Sequence, residues 1–248
     1  MIPKDRVLDK LDLLLKSNDY SGAKRLLEYW LSEAEYTGDG QGVLLMQNEL
    51  MGLSRKMGEK EQALKYAHDA LGQVEKMGIP HNVGAATTYL NSATVYKAFG
   101  MAEKAIGLFN RARTIYERDL SPTDDRLAGL YNNMGLALVD LREFGQAEEL
   151  YRKAIAVLEG LSGKEPEQAI TYLNMATAKE TELGLSEAQP IIAELLKKAT
   201  ALLDMGKDRT DGNYAFVCEK CMTVFGYYGY DAYAAELKER YRRIYERA

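Results

Sequence analysis

A segment of about 42 residues recurs along the chain, and each copy has the pattern of two consecutive amphipathic helices. In the copy at 131–159, apolar residues follow each other at intervals of three, four and seven on both sides of Phe144-Gly145, which we predict as the turn. Small residues at Gly135, Ala147 and Ala154 mark places where two helix backbones can approach closely. A fixed period of this size indicates a stacked repeat, in which each unit packs only on its neighbours.

The small positions recur in the other copies at nearly constant spacing. They are Met51, Ala63 and Ala70, then Ala93, Ala105 and Ala112, then the three residues above, then Ala176 and Ala188, with steps of 42, 42 and 41. We therefore predict an all-α chain forming a single solenoid over residues 1–248. Its helix pairs are placed at roughly 4–37, 41–78, 82–119, 123–161 and 165–205, with a C-terminal capping pair at 211–247. Pro190 is predicted in the first turn of its helix, where proline costs least.

Small residues separated by 12 and then 7, with a turn between two helices, resemble the tetratricopeptide (TPR) repeat. The segments YLNSA, YNNMG and YLNMA resemble the Leu-Asn-Asn-Leu-Ala of kinesin-light-chain-type repeats, which share the longer step, and the array is also similar to bacterial peptide-sensing TPR regulators. The resemblance implies a right-handed α-α superhelix of about six helix pairs. It also implies a protein-binding or peptide-binding adaptor or regulator with no enzymatic activity and no cofactor.

Polar residues follow one face of the first helix in each pair. Counted by helical spacing from the small residue, they are Asn48, Arg55, Asn91, Thr94, Lys97, Asn132, Asn133, Asn174 and Thr177. An asparagine amide both donates and accepts hydrogen bonds, as a peptide backbone requires. The resemblance implies that this face lines a concave groove and holds an extended peptide. The alternative is that the asparagines cap or bridge neighbouring helices.

Tyrosines are concentrated at the C-terminal end of the chain. They are Tyr214, Tyr227, Tyr228, Tyr230, Tyr233, Tyr241 and Tyr245, seven of the 17 in the sequence. Such a cluster suits a capping core whose hydroxyls reach water, or alternatively an interface, where tyrosine is enriched. The second reading predicts a self-associating scaffold, a homodimer formed through the C-terminal helices.

Other chemistry has little support in the sequence. Cys218 and Cys221 form a CxxC motif inside a helical pattern with no second ligand pair, so we predict two buried cysteines and neither a metal site nor a thiol enzyme. A net charge of −5 gives no reason to expect direct nucleic-acid binding. No apolar run approaches the length of a membrane span, and the N-terminus has no signal-peptide pattern. We therefore expect a cytoplasmic protein without membrane contact.

Overall fold

The computed structural model describes residues 1–245, except for the side chain of Tyr245. Twelve helices and no strand occur in this range. They are α1 (Lys4–Lys16), α2 (Tyr20–Tyr36), α3 (Gly40–Lys56), α4 (Lys60–Lys76), α5 (Val83–Ala98), α6 (Ala102–Asp119), α7 (Asp125–Asp140), α8 (Phe144–Glu159), α9 (Glu165–Leu183), α10 (Leu185–Met205), α11 (Gly212–Tyr227) and α12 (Asp231–Tyr245). Of the predicted capping pair, residues 246 and 247 lie outside the described residues.

The chain divides into two compact units, Met1–Asp119 with α1–α6 and a second unit that begins at Leu120 and contains α7–α12. From α3 to α12, each helix packs most extensively on its partner in a sequence-adjacent pair, whereas α2 packs more extensively on α3 than on α1. First helices of successive pairs also contact each other, namely α3 with α5, α7 with α9, and α9 with α11. The predicted fold class, an all-α array of six TPR-like helix pairs, is therefore confirmed in the described residues. The single solenoid over residues 1–248 stays a prediction.

Small side chains lie where the helices of a pair cross. All the small positions predicted from the repeat are buried, from Met51 in α3 to Ala188 in α10. Larger buried side chains such as Phe109 and Tyr151 complete the core, and the Tyr151 ring lies directly against Gly135. This arrangement explains the repeat in the sequence, because a larger residue at a crossing point would push the two backbones apart.

The turns inside the pairs use a residue in the left-handed region of backbone space. Gly58 and Gly100, both predicted at turns, have φ angles of 75° and 77°. The prediction for the fourth pair was wrong, because Phe144 and Gly145 are the first two residues of α8. There the left-handed residue is Arg142, with φ 59°. The α7 helix ends at Asp140, three residues earlier than a turn at Phe144-Gly145 predicts. The Glu143 amide donates to the Leu138 carbonyl at 2.8 Å, and this hydrogen bond closes the C-terminal end of the helix.

Pro190 is also placed differently from the prediction. It lies inside α10, in the second turn of a helix that begins at Leu185. A proline there removes one backbone hydrogen bond to the residue four positions earlier, Ser186. Ser186 is exposed, so water can reach the end of the helix where this bond is missing. The early start of α10, directly after Gly184, is what moves Pro190 out of the first turn.

Aspartate and asparagine side chains cap the starts of five helices. Asp19, Asp39, Asn82, Asp124 and Asp211 each accept a hydrogen bond from a backbone amide in the first turn of the following helix. Each such cap stabilises its helix by about 1 kcal/mol. Asp39 also accepts from the Ile2 amide at 2.9 Å, which ties the N-terminus to the start of α3.

A buried arginine fastens the C-terminal pair. The Arg240 side chain of α12 is 3% exposed and donates to the Leu203 carbonyl, the Tyr214 hydroxyl and the Asp204 carboxylate at 3.1, 2.9 and 2.6 Å. It also pairs with Glu236. Three helices, α10, α11 and α12, are therefore held at one point, and these acceptors satisfy a guanidinium that would otherwise be costly to bury.

Candidate functional site

Asparagines at equivalent places in neighbouring first helices are joined by hydrogen bonds. In the first unit, the Asn91 Nδ2 of α5 donates to the Asn48 Oδ1 of α3 at 2.9 Å. The Asn48 Nδ2 donates in turn to the Leu44 carbonyl at 2.8 Å and to the Thr88 hydroxyl at 3.1 Å. Both amide hydrogens of Asn48 are thus used inside the protein, as the bridging alternative predicted.

The second unit repeats this bridge but leaves more of the amide groups available. The Asn174 Nδ2 of α9 donates to the Asn132 Oδ1 of α7 at 3.0 Å. Asn133 donates to the Gly129 carbonyl of its own helix at 2.9 Å. Among the described residues, the Asn132 Nδ2 and the Asn174 Oδ1 have no protein partner. All three side chains are half-buried, so these groups are held in place at the edge of the solvent.

The other predicted site residues lie on the same helices with different surroundings. Thr94 and Thr177 donate to the carbonyls four residues earlier at 2.9 and 3.2 Å, which leaves their oxygens as acceptors. Arg55 is exposed near the end of α3, and Lys97 is half-buried near the end of α5. Within the first unit, the predicted set therefore occupies α3 and α5. Within the second, it occupies α7 and α9.

A depression of about 180 Å³ opens between α7 and α9 beside Asn132. The Lys164 ammonium on its wall pairs with Asp125 at 2.7 Å and with Glu167 at 3.4 Å. The hydrogen bond that the Lys164 ammonium donates to Asp125 is the main reason that the pKa of Lys164 is raised, so this lysine stays charged. The Glu167 Oε2 is buried and has no partner among the described residues. The depression is therefore lined by the Asn132 amide, the Lys164 ammonium and the unpaired Glu167 oxygen, and its volume suits a small polar group.

The exposed stripe of α11 was missed by the sequence analysis. We use this name for Phe216, Lys220, Thr223 and Tyr227, which are all exposed. The stripe is 46 residues beyond the corresponding α9 residues Ile170, Asn174, Thr177 and Thr181. Hydrogen bonds between the two helices have nearly the same offset, since Asn213 donates to Glu167 and Tyr227 donates to Glu180.

The unequal sequence spacing between first helices explains why the repeat pattern did not identify the stripe. The α10 helix has 21 residues and α8 has 16, which lengthens the step between first helices from 41 to 46. A search at a fixed period of 41 or 42 therefore places the sixth pair in the wrong register. The exposed aromatic residues at both ends of α11, four and seven residues from Lys220, were the available signal.

The C-terminal tyrosines divide into two groups. Tyr214 is fully buried and its hydroxyl donates to the Leu203 carbonyl at 2.8 Å, as the capping-core reading predicts. Tyr227 and Tyr230 are 68% and 43% exposed beside a cavity of about 520 Å³ between α10 and the end of α11. These two residues suit an interface, while self-association itself stays a prediction.

Cys218 and Cys221 are free thiols with no exposed surface. Burial raises the pKa of both, which disfavours the thiolate needed for nucleophilic or redox chemistry. His68 and His81 are exposed and lie in different helix pairs. Across residues 1–245, no three metal-binding side chains come together. Over the same range, no helix has both the length and the apolar character of a membrane span.

Comparison of the chain with models of protein families gives a match to one family. Residues 43–118 match the model of the tetratricopeptide repeat family. None of the curated protein sequences matches the chain. All similar solved structures described below are at most 20% identical, so they show the fold alone.

Three of these structures are similar over most of the chain. BtubC (BKLC) from P. vanneervenii has 20% identity and a TM-score of 0.67, with 80% of each chain covered. A putative kinesin light chain from Podosopora anserina, with nearly identical TPR-like repeats, has 18% identity and a TM-score of 0.56, covering 81% of this chain and 94% of that one. Rap protein complexed with Competence and Sporulation Factor has 13% identity and a TM-score of 0.56, covering 96% and 73%. The predicted resemblance is therefore confirmed: residues 43–118 match the tetratricopeptide repeat family, and the helix pairs have the fold of TPR-like arrays.

Proposed function

We propose that this protein is a non-enzymatic adaptor or regulator that binds an extended peptide or protein segment along the first helices of its repeats. The observation that carries the proposal is the amide pair of the second unit. There, the bridge from Asn174 to Asn132 leaves a donor on Asn132 and an acceptor on Asn174. One peptide group has an N–H and a C=O, so the pair can bind both.

The bridge also makes the amide pair a better binding site than two independent side chains. Each amide is fixed by a hydrogen bond before the ligand arrives, so less side-chain freedom is lost on binding. Each new hydrogen bond contributes only about 0.5–1.5 kcal/mol net. A useful affinity therefore needs several contacts along a peptide, and recognition of the backbone tolerates many sequences.

The fold supports a binding role in general terms. TPR-like arrays generally mediate protein–protein interactions, and Rap protein, a structural neighbour, is complexed with Competence and Sporulation Factor. The first unit offers a second, smaller site, in which Asn91 has its Oδ1 available and Thr94 lies one turn further along α5. Neither the ligand of a neighbour nor its role is needed for the proposal, which depends on the amide geometry of this chain.

The test is a peptide-array screen followed by titration calorimetry with the peptides that bind. Asn132→Ala and Asn174→Ala should each weaken binding roughly 3- to 10-fold, the equivalent of one lost hydrogen bond. Asn91→Ala tests the site in the first unit. Asn133→Ala tests the edge of the site in the second unit. Asn110→Ala is the matched control, because Asn110 is exposed on the second helix α6. Circular dichroism establishes that each variant is folded. Binding that is unchanged in all four site variants would contradict the proposal.

A second candidate function is a self-associating scaffold, favoured by the exposed Tyr227 and Tyr230. Exposed aromatic residues are enriched where proteins meet. Sedimentation velocity over a wide concentration range tests this function, and Tyr230→Ser should shift a dimer towards monomer. A monomer at every concentration would remove this candidate.

A further inference from the structure

The exposed stripe of α11 differs chemically from the corresponding stripe of α9. Where α9 has Ile170, Asn174, Thr177 and Thr181, α11 has Phe216, Lys220, Thr223 and Tyr227. An amide and a hydroxyl are replaced by a cation and an aromatic ring, and a second aromatic ring lies at the start. The polar face of the second unit therefore ends in a region that can distinguish ligands by their side chains.

Tyr227 is held in position although it is largely exposed. Its hydroxyl donates to the Glu180 Oε1 at 2.6 Å, and the hydroxyl of Tyr228 donates to the other oxygen of the same carboxylate at 2.8 Å. The two rings pack edge to face with their centroids 5.0 Å apart. A fixed aromatic ring offers apolar contact area with little loss of side-chain freedom on binding.

Lys220 is the cation available on this stripe. Its Nζ lies 5.6 Å from the centroid of the Phe216 ring, and it forms no ion pair with any residue that the structure describes. The stripe positions about one turn away on α11, Phe216 and Thr223, and the corresponding α9 position, Asn174, are not acidic. An anion that approaches this face would therefore meet an unpaired ammonium between an aromatic ring and a hydroxyl.

We propose that the stripe of α11 selects the ligand segment by two side chains, an acidic one that pairs with Lys220 and a large apolar one that packs on Tyr227. The apolar side chain would extend into the adjacent cavity of about 520 Å³, which Tyr227 lines together with Leu185, Ile192, Tyr228 and Tyr230. The inference rests on the proposed function and specifies the class of peptide that the second unit takes.

The helix geometry also gives the spacing of the two ligand residues. Lys220 and Tyr227 are seven residues apart, which is about 10 Å along a helix axis. An extended chain advances about 3.3 Å per residue. A segment that runs along α11 would therefore have its acidic and apolar residues about three positions apart.

The experiment uses labelled peptides derived from a bound sequence and measures fluorescence anisotropy. One position carries Glu, Ala or Lys, and the position three residues away carries Phe or Ser. The wild-type protein should prefer Glu over Lys about 5- to 10-fold. Lys220→Glu should reverse this preference. Lys198→Glu is the matched control, because Lys198 also lies over an aromatic ring, Tyr172, but on the second helix α10. It should leave the preference unchanged.

The apolar contact is tested with the same peptides. Tyr227→Ala should weaken binding of the Phe peptides several-fold and leave the Ser peptides almost unaffected.

The outcomes separate the two proposals. If no peptide binds to any form of the protein, the proposed function fails. If peptides bind and respond to Asn132→Ala, but Lys220→Glu does not change the charge preference, only this inference is overturned. A Lys220→Glu effect on the sedimenting mass, with no effect on peptides, would also overturn it, because a second copy would then occupy the stripe.

Discussion

Arg142 occupies a backbone position at which most other pairs of the array have glycine and the first pair has Asn18. Its φ is 59°, while Gly58 and Gly100 at the corresponding turns have 75° and 77°. An L-residue with a β-carbon is disfavoured in this region by about 1–2 kcal/mol. The Arg142 side chain is exposed, and none of its contacts explains the choice of arginine.

Replacing this residue with glycine should stabilise the protein. Arg142→Gly removes the steric cost of the left-handed conformation, but it also makes the unfolded chain more flexible. We expect a net increase in the free energy of unfolding of about 0.5–1 kcal/mol, measured by urea denaturation. Arg142→Ala is the control, since alanine loses the same charge and keeps the β-carbon. An equal gain in both variants would show that charge, and not backbone strain, is responsible.

At the scale of the helices, the α7–α8 pair depends on one close approach. A β-carbon built on Gly135 would lie 2.6, 2.9 and 3.0 Å from three ring atoms of Tyr151. Tyr151 is 1% exposed, so its ring is enclosed almost completely by other parts of the protein. The glycine therefore sets the distance between α7 and α8, and with it the position of Asn132 and Asn133 on the exposed side of α7.

Gly135→Ala should weaken this pair. Moving the helices or the ring to admit one methyl group costs about 1–3 kcal/mol in a packed core. Gly129→Ala is a control in the same helix, where a new β-carbon meets no other atom, and it should stabilise by about 0.5–1 kcal/mol. Chemical denaturation of both variants measures the difference. A Gly135→Ala protein as stable as Gly129→Ala would contradict the packing argument.

Helix pairing could be predicted from the sequence because it depends on residues close in the chain. Small residues at crossing points and apolar faces repeat at 41 or 42 residues, and most helix ends lie within a few residues of the prediction. Local exceptions could not be predicted. Arg142 at a glycine position carries no turn signal, and the early start of α10 displaces Pro190.

The candidate site was predicted in part for the same reason. The asparagines were correctly placed on first helices, but the bond partner of an asparagine is a residue some 42 positions away, whose side-chain direction depends on how the helices pack. The stripe of α11 was missed because the length of α10 changes the register of the last pair. A search of the sequence at a fixed period cannot detect a second helix that is longer than the others.

At the scale of the whole molecule, buried tyrosines make the free energy of unfolding decrease at alkaline pH. Burial raises the pKa of Tyr66 and of Tyr214 to about 12, and it also raises those of Tyr151, Tyr228 and Tyr233. An unfolded tyrosine ionises near pH 10. The native state therefore binds more protons than the unfolded state above this pH. The stabilisation is fully present below pH 10 and is lost as the pH rises from 10 towards 12.

The free energy of unfolding should decrease steeply above pH 10, by up to about 1.4 kcal/mol per pH unit for each phenol that stays protonated in the native state. Urea titrations between pH 8 and pH 11 measure this slope, and tyrosinate absorbance at 295 nm separates phenol ionisation from that of lysine. Tyr233→Phe should reduce the slope, because the Tyr233 hydroxyl donates to the Asp204 carboxylate at 2.8 Å and resists ionisation. Tyr36→Phe, at a side chain that is 90% exposed, should leave it unchanged. If every tyrosine ionised near pH 10 in the folded protein, burial in the repeat cores would not hold these hydroxyls protonated, and the predicted slope would be absent.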